Sequence, residues 1–529
     1  MHQMLKTKWL KAMSILLVPL LPGCHPGGDT GLDEPATVTQ MASPANVTIK
    51  NNLSANGADI GGTPEQYQRG SVMPGDLDGD GYADLVVVNS LCVEVIYGSP
   101  TWPHVVQVEQ EPTLIPSDPN LGAGCGSGSV SSAMTDGMVG HAIPEYFRPS
   151  VAAAGDVDRD GYADFLVSYT VMANHSELTY LVYGGPARLS GRQRIADLAS
   201  LFVGVGGRVN GIGDINGDGY ADLAAANTDD DDPVGSTPTA LVFFGSAKRF
   251  VGQVSVDQAG ASVSVPDGAN YFTPVLRAVG DLNGDGYADF VIGAFANACT
   301  DPTGTTGACD SKVWMVPGGK DLAGSLQIPA VPLIEGIVEV GFPGWDQTSS
   351  DTFVSPLGDL DGDGFDDLAF TTLSTAGYST HILYGRSDLL AQTNQADATL
   401  SDFYALASAD VDGDGILDLV AGAPHDDNGN GAIYVLPGTH NRLLGNIDLS
   451  QNTFRMTSSC PASAVGESVG FWVAAGSDVD GDGLDDLLVG ALITQKADGP
   501  PGITSADPAT NTGHAYLVRG AAVKRSMGR

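Results

Sequence analysis

An all-β fold of seven repeated units, each a sheet of four antiparallel strands, is what this 529-residue sequence predicts. Three observations carry the prediction. A nine-residue acidic pattern recurs seven times along the chain. Each copy runs straight into a short apolar stretch of strand character. Gly 70 and Pro 31, beside charged residues at only 16%, punctuate turns and suit no helix interior.

The acidic pattern sets the register of everything else. Its copies are 76–84, 156–164, 214–222, 281–289, 359–367, 410–418 and 478–486, and all follow D-x-[DN]-[GR]-D-G-x-x-D. Their starts lie 51 to 80 residues apart, so the repeating unit is larger than a loop and holds further structure. Positions one, three and five put oxygens on alternate residues of a tight turn. They are Asp76, Asp78 and Asp80; Asp156, Asp158 and Asp160; Asp214, Asn216 and Asp218; Asp281, Asn283 and Asp285. The last three copies supply Asp359, Asp361 and Asp363; Asp410, Asp412 and Asp414; Asp478, Asp480 and Asp482. Oxygens so spaced converge on one hard cation, and calcium takes six to eight of them at about 2.3–2.6 Å.

The seventh residue offers its backbone carbonyl: Tyr82, Tyr162, Tyr220, Tyr287, Phe365, Ile416 or Leu484. The ninth can close the shell with both carboxylate oxygens: Asp84, Asp164, Asp222, Asp289, Asp367, Asp418 or Asp486. Gly at position six in every copy allows the positive φ that turns the chain around the ion. Up to seven calcium ions follow; magnesium is disfavoured because it gives up its water reluctantly. Asn216 and Asn283 bring less charge, so their two sites are expected to bind more weakly. Arg159 replaces Gly at position four of the second copy, with its side chain expected to point outward.

The apolar runs after the loops, among them 85–88, 165–167, 290–294, 419–424 and 487–491, read as buried strands. Another strand comes later in each unit, as at 94–98, 180–184 and 515–518, and one precedes the loop, as at 275–280 and 471–476. A fainter outer strand makes four. Gly422-Ala423-Pro424, with Gly293-Ala294-Phe295, Gly490-Ala491-Leu492 and Val469-Gly470, resembles the FG-GAP repeats of integrin alpha chains and their bacterial relatives. The resemblance runs over 46–520 and implies a seven-bladed β-propeller, with calcium in the loop joining the first two strands of each blade. The seventh unit stops near Gly520 after its third strand, so Asn46 to Lys50 is expected to complete the last blade and close the ring. Calcium loops then share one face with the turns between third and fourth strands. The opposite face receives the long segments 117–146, 227–238, 296–311 and 493–512, and a protein or glycan ligand is expected there.

Residues 1–23 read as an export signal of lipoprotein type. Lys6, Lys8 and Lys11 precede an apolar stretch from Ala12 to Leu21, too short to span a bilayer, and Cys24 is the residue to be lipidated. A flexible tether covers 24–45 and a basic tail 521–529. The expectation is an exported, monomeric outer-membrane or cell-surface lipoprotein facing periplasm or exterior, touching the membrane only through its anchor. A formal charge of −39 opposes nucleic acid. Cys299 with Cys309 and Cys92 with Cys125 are candidate pairs, leaving Cys460. No enzyme is expected: the G-x-S-x-G string at 466–470 leads into a strand and a loop where a nucleophile elbow needs a helix. An adhesion or protein-recognition module is the leading function. The alternative is a carbohydrate-binding propeller with Trp102, Trp345 and Tyr378 stacking on sugars; a polysaccharide lyase is less favoured.

Overall fold

Behind each acidic loop runs a strand of Val, Leu, Ala and Phe with nothing to offer solvent, so it is stable only in the middle of a sheet stacked between others. Asp418–Ala423 is buried along its whole length and pairs antiparallel on both sides. The computed structural model describes residues 38–40, 47–50, 71–89, 92–102, 105–107, 111–115, 148–171, 176–203, 209–227, 239–264, 271–296, 309–326, 328, 332–339, 354–374, 377–391, 395–401, 403, 405–449, 453–457, 465–466, 468–492, 494–495 and 513–527. They form a seven-bladed β-propeller.

Blade 1 runs Ser71–Gly75, Asp84–Asn89, Cys92–Ile96 and Thr113–Ile115 from the inside outward. Blade 2 repeats this order with Arg148–Gly155, Asp164–Val171, Ser176–Val182 and Ser200–Val203. The expected four antiparallel strands are present, but six of the sheets carry a fifth, short and parallel. In five of the six it comes from the connector between the third and fourth strands of the next blade. Arg192–Arg194 of blade 2 lies on Thr113–Ile115 of blade 1, and Gln253–Ser255 of blade 3 on Ser200–Val203 of blade 2. The physical reason is the edge: an outer strand left bare would expose its unpaired amides and carbonyls.

Closure of the ring uses the same device. Blade 7 has Val473–Ser477, Asp486–Leu492 and Gly513–Val518, and its outer strand is Val47–Lys50, antiparallel to Gly513–Val518 with Val47 opposite Leu517 and Lys50 opposite His514. Val38–Gln40, inside the stretch read as tether, pairs in parallel with Phe454–Thr457 of blade 6. The N-terminal segment thus supplies the outer strand of blade 7 and, for blade 6, the parallel fifth strand that a connector supplies elsewhere. Past the last strand, Gly520–Ser526 is a short helix that buries Val523 between blades 6 and 7.

Packing between blades is face to face. Leu166, Leu181 and Phe202 of blade 2 meet Leu223, Leu241 and Phe243 of blade 3, with Phe202 and Phe243 edge to face at 5.1 Å. The Gly422 and Gly470 motif glycines touch across the seam of blades 6 and 7. A Cβ on Gly422 would lie 2.1 Å from the Gly470 carbonyl oxygen, so only glycine fits. The G-x-S-x-G string is part of this seam: Ser468 has φ +45°, its amide donates to the Gly429 carbonyl, and the strand Val473–Ser477 follows.

Candidate metal centres and the ring that joins them

Within a loop, the first and ninth carboxylates organise the backbone. In the first loop Asp76 accepts the amides of Gly79 at 2.6 Å and Gly81 at 2.8 Å, which winds the chain around it. The amide at position six makes the same bond in every copy, from Gly161 to Asp156 through Gly483 to Asp478. As the sequence requires, the glycine there has φ between +82° and +93°. Asp84 is fully buried, and each of its oxygens accepts a backbone amide: Leu77, at position two, and Gly98, just past the third strand, both at 2.7 Å. The same pair recurs for Asp164, Asp222, Asp289, Asp367, Asp418 and Asp486. Position nine is therefore a bolt between the loop and the third strand, with one further lone pair on each oxygen.

Positions one, three and nine gather. Asp76, Asp78 and Asp84 bring carboxylate oxygens within 4.8 Å of one another, as do the corresponding residues in the second, fifth, sixth and seventh loops. Asp158 and Asp480 each leave Oδ1 buried without a hydrogen-bond partner. Burial raises the Asp84 carboxyl to about 7, with Asp78 and Asp76 adding repulsion and the two amides opposing. Asp164, Asp222, Asp289, Asp367 and Asp486 are likewise pushed to about 7, and Asp418 to about 6. A cation among these oxygens favours their charged form and offsets that cost. Hard, buried, converging oxygen donors fit a divalent cation such as calcium.

Position five stands apart from this cluster. Asp80 Oδ1 accepts the Tyr82 amide at 3.0 Å, and the pattern repeats from Asp160 through Asp218, Asp285, Asp363 and Asp414 to Asp482. In the third and fourth loops, where Asn216 and Asn283 stand at position three, Asp214, Asp222, Asp281 and Asp289 keep the same amide bonds.

The loops are also joined to one another. The amide of Ala83 donates to the Asp478 carbonyl, Ala163 to Asp76, Ala221 to Asp156 and Asp485 to Asp410, each linking one loop to that of the preceding blade. The seventh residue contributes more than a carbonyl. Tyr162 lies over Gly79, Tyr287 over Gly217, Phe365 over Gly284, Leu484 over Gly413 and Tyr82 over Gly481, so each side chain covers the neighbouring loop. Arg159, expected to point outward, is exposed, and its side chain crosses to the third loop. Its guanidinium reaches the Asp218 carbonyl at 3.4 Å and lies 5.9 Å from the Tyr220 ring, while its own φ is +55°.

Two sets of residues escaped the sequence reading. One is the glycine after each third strand: a Cβ on Gly184 would sit 2.3 Å from the Ala163 carbonyl oxygen, so the amide that serves Asp164 can approach only without a side chain. Its trace was the Tyr-Gly or Phe-Gly ending of those strands. The other is a set of arginines described below. Trp102, read as a sugar platform, donates its indole N–H to the Val479 carbonyl at 3.2 Å and packs in the seam of blades 7 and 1. Trp345, Cys24, Cys125, Cys299 and Cys460 lie outside the described residues, as do nearly all of the four long segments; Cys92 is disulfide-bonded.

Fold and loops together define a seven-bladed propeller in which five blades carry a cluster of three carboxylates that could hold a metal ion. The FG-GAP repeat pattern matches residues 69–91, 278–306 and 403–436. The chain is 28% identical to integrin alpha-4 of Xenopus laevis over 160 residues, which cover 30% of this chain and 15% of that protein. It is 35% identical to integrin alpha pat-2 of Caenorhabditis briggsae over 86 residues, 16% of this chain and 7% of the relative. The chain thus resembles the propeller of integrin alpha chains and spans a small part of their length. The V. cholerae biofilm matrix protein Bap1 aligns over 84% of this chain and 76% of its own at 10% identity, with a TM-score of 0.20 that carries no argument.

Proposed function

We propose that the chain is an exported, calcium-binding β-propeller that serves as an adhesion or protein-recognition module, held at the cell surface by lipid on Cys24. The observation that carries the calcium reading is the gathering of three carboxylates within 4.8 Å in five loops. In two of them the third-position Oδ1 is buried with no partner. Positions one, three, five and nine supply the side-chain oxygens and position seven a carbonyl, with the Asn loops completing seven sites. The ions are structural. They hold the first two strands of each blade and, through the ninth residue, the third. Likeness to integrin alpha propellers supports recognition of a protein partner, which is assigned to the face opposite the loops.

Calcium titration of the chelator-stripped chain by calorimetry tests this. The expected stoichiometry approaches seven, and excess chelator lowers the melting temperature by several degrees, since a ligand bound only by the folded state adds about 2.7 kcal/mol at a hundred times its dissociation constant. Absence of binding heat together with an unchanged melt would sink the calcium reading. Recognition is tested separately by probing envelope or host extract and a glycan array with the purified protein. Retention of glycan alone would replace the protein-recognition reading.

A further inference from the structure

In three acidic loops the charge facing positions three and five is set by an arginine of the next blade. Arg188, four residues past Gly184 in blade 2, forks onto Asp78 Oδ2 and Asp80 Oδ2 of the first loop and lies 4.7 Å from the Tyr97 ring. Arg249, four past Gly245, does the same to Asp158 and Asp160 over Tyr183. Arg442, four past Gly438, does so to Asp361 and Asp363 over Tyr384. Four past Gly520 stands Lys524, whose ammonium comes within 3.6 Å of where a Cβ on Gly413 of the sixth loop would be. In the seventh loop Asp480 is met at 3.4 Å by Arg519.

The exceptions are informative. Four residues past Gly318 and Gly385, the chain has Leu322 and Leu389. Those two connectors face the third and fourth loops, the two whose third residue is Asn216 or Asn283. Among the described residues no ion pair from either connector reaches these loops. Arg386, one place past Gly385, is turned to Asp388 and Asp397 of its own blade. Four carboxylates less one cation leave three negative charges, the same as three carboxylates with an asparagine. Asp at position three goes with a cation from a connector over the loop, and Asn goes with none from that direction. Arg159, which crosses to the third loop, meets the Asp218 carbonyl and the Tyr220 ring, and among the described residues it makes no ion pair to a carboxylate there.

Resting on the calcium reading above, we infer that these cations are affinity-setting residues that equalise the charge of the seven sites, so that the Asn loops bind calcium as tightly as the Asp loops. Ligand charge count is what tunes affinity among sites of one geometry. A guanidinium beside a loop lowers the attraction for a divalent ion as surely as an asparagine within it. Position three and the cation facing it form one determinant, split between two blades in the first, second, fifth and sixth loops and held within blade 7 in the seventh. On this inference the Asn216 and Asn283 loops match the other five, where the sequence alone led to an expectation of weaker binding.

The test is calcium titration of the stripped full-length protein against a chromophoric chelator, which resolves classes of sites. The wild-type chain is expected to show a single class. Asn216→Asp adds a charge that no connector cation faces, and one site should tighten by about tenfold, the worth of a unit charge beside a divalent ion near the surface. Arg188→Leu should tighten one site by a similar factor, whereas Arg188→Lys, which keeps the charge and loses the fork, should return the wild-type curve. Asn216 lies on a surface loop, so its variant tests the idea even where the Arg188 variants fold poorly. Two weak sites in the wild-type protein, or an Asn216→Asp curve unchanged from it, would overturn the matching while leaving calcium binding intact. No calcium uptake at all would overturn both.

Discussion

Replacing Asp84 by alanine separates the structural work of the ninth position from its work as a ligand. The carboxylate is fully buried and accepts the amides of Leu77 and Gly98, both at 2.7 Å. Truncation leaves two buried N–H donors without acceptors, at about 1–3 kcal/mol each. The loss is therefore about 2–6 kcal/mol, a large share of a typical folding free energy. At roughly 2 cal/mol/K of unfolding entropy per residue, a ring of this size loses about 2–6 °C of melting temperature if it melts as one unit. Asp84→Asn keeps one acceptor oxygen and should lose about half as much. Both variants are melted in excess chelator, so that no bound ion contributes. If Asp84→Ala melts with the wild type under chelation and differs only when calcium is added, the ninth residue is a ligand alone and the bolt argument is wrong.

Two further outcomes follow from the seams. Gly422→Ala, whose Cβ would press the Gly470 carbonyl oxygen at 2.1 Å, should destabilise well beyond Gly191→Ala, which has φ +60° but open space around it and should cost about 1 kcal/mol; urea midpoints compare them. Deleting the chain through Lys50 removes the outer strand of blade 7 and bares the edge of Gly513–Val518. The truncated protein should melt earlier and self-associate in light scattering, and a stable monomer would refute the closure role.

The fold was legible because its repeat carries its own register. Once seven acidic loops were aligned, the strands on either side fell into place, and the missing outer strand of the last unit pointed to Val47–Lys50. Two things were not legible for physical reasons. The fifth, parallel strands are three residues each, such as Arg192–Arg194, with no apolar alternation of their own; they exist because a neighbouring edge lies beneath them. The arginine forks join residues about a hundred apart, as Arg188 to Asp78, and Asp and Arg at such distance carry no pattern. A weak trace was there: three third strands end in glycine with arginine four places on. Arg159 is exposed as its sequence position suggested, but its reach to the third loop was not legible, because only the ring puts Tyr220 beside it.

The chain's acidity takes on a different meaning once the loops are joined. Twenty-six of the 63 acidic residues stand at positions one, three, five and nine of the seven loops. Such crowding would drive a single loop apart, and burial, with repulsion from Asp78 and Asp76, holds Asp84 up at about 7 even against its two amide bonds. Each loop here is held by its own amides on positions one and nine, six of them also by a carbonyl to the next blade, five by an aromatic or aliphatic lid, and several by a cation. Loss of an ion from one loop therefore strains its neighbours, because the amide of Ala83 is held by the Asp478 carbonyl and that of Ala163 by Asp76. Two ions bound in adjacent blades share this cost of ordering, so the second binds to a backbone the first has already fixed. Calcium binding around the ring should for that reason be steeper than independent sites allow. A Hill slope of one, with seven sites filled, would show that the backbone links hold the loops in place without coupling them.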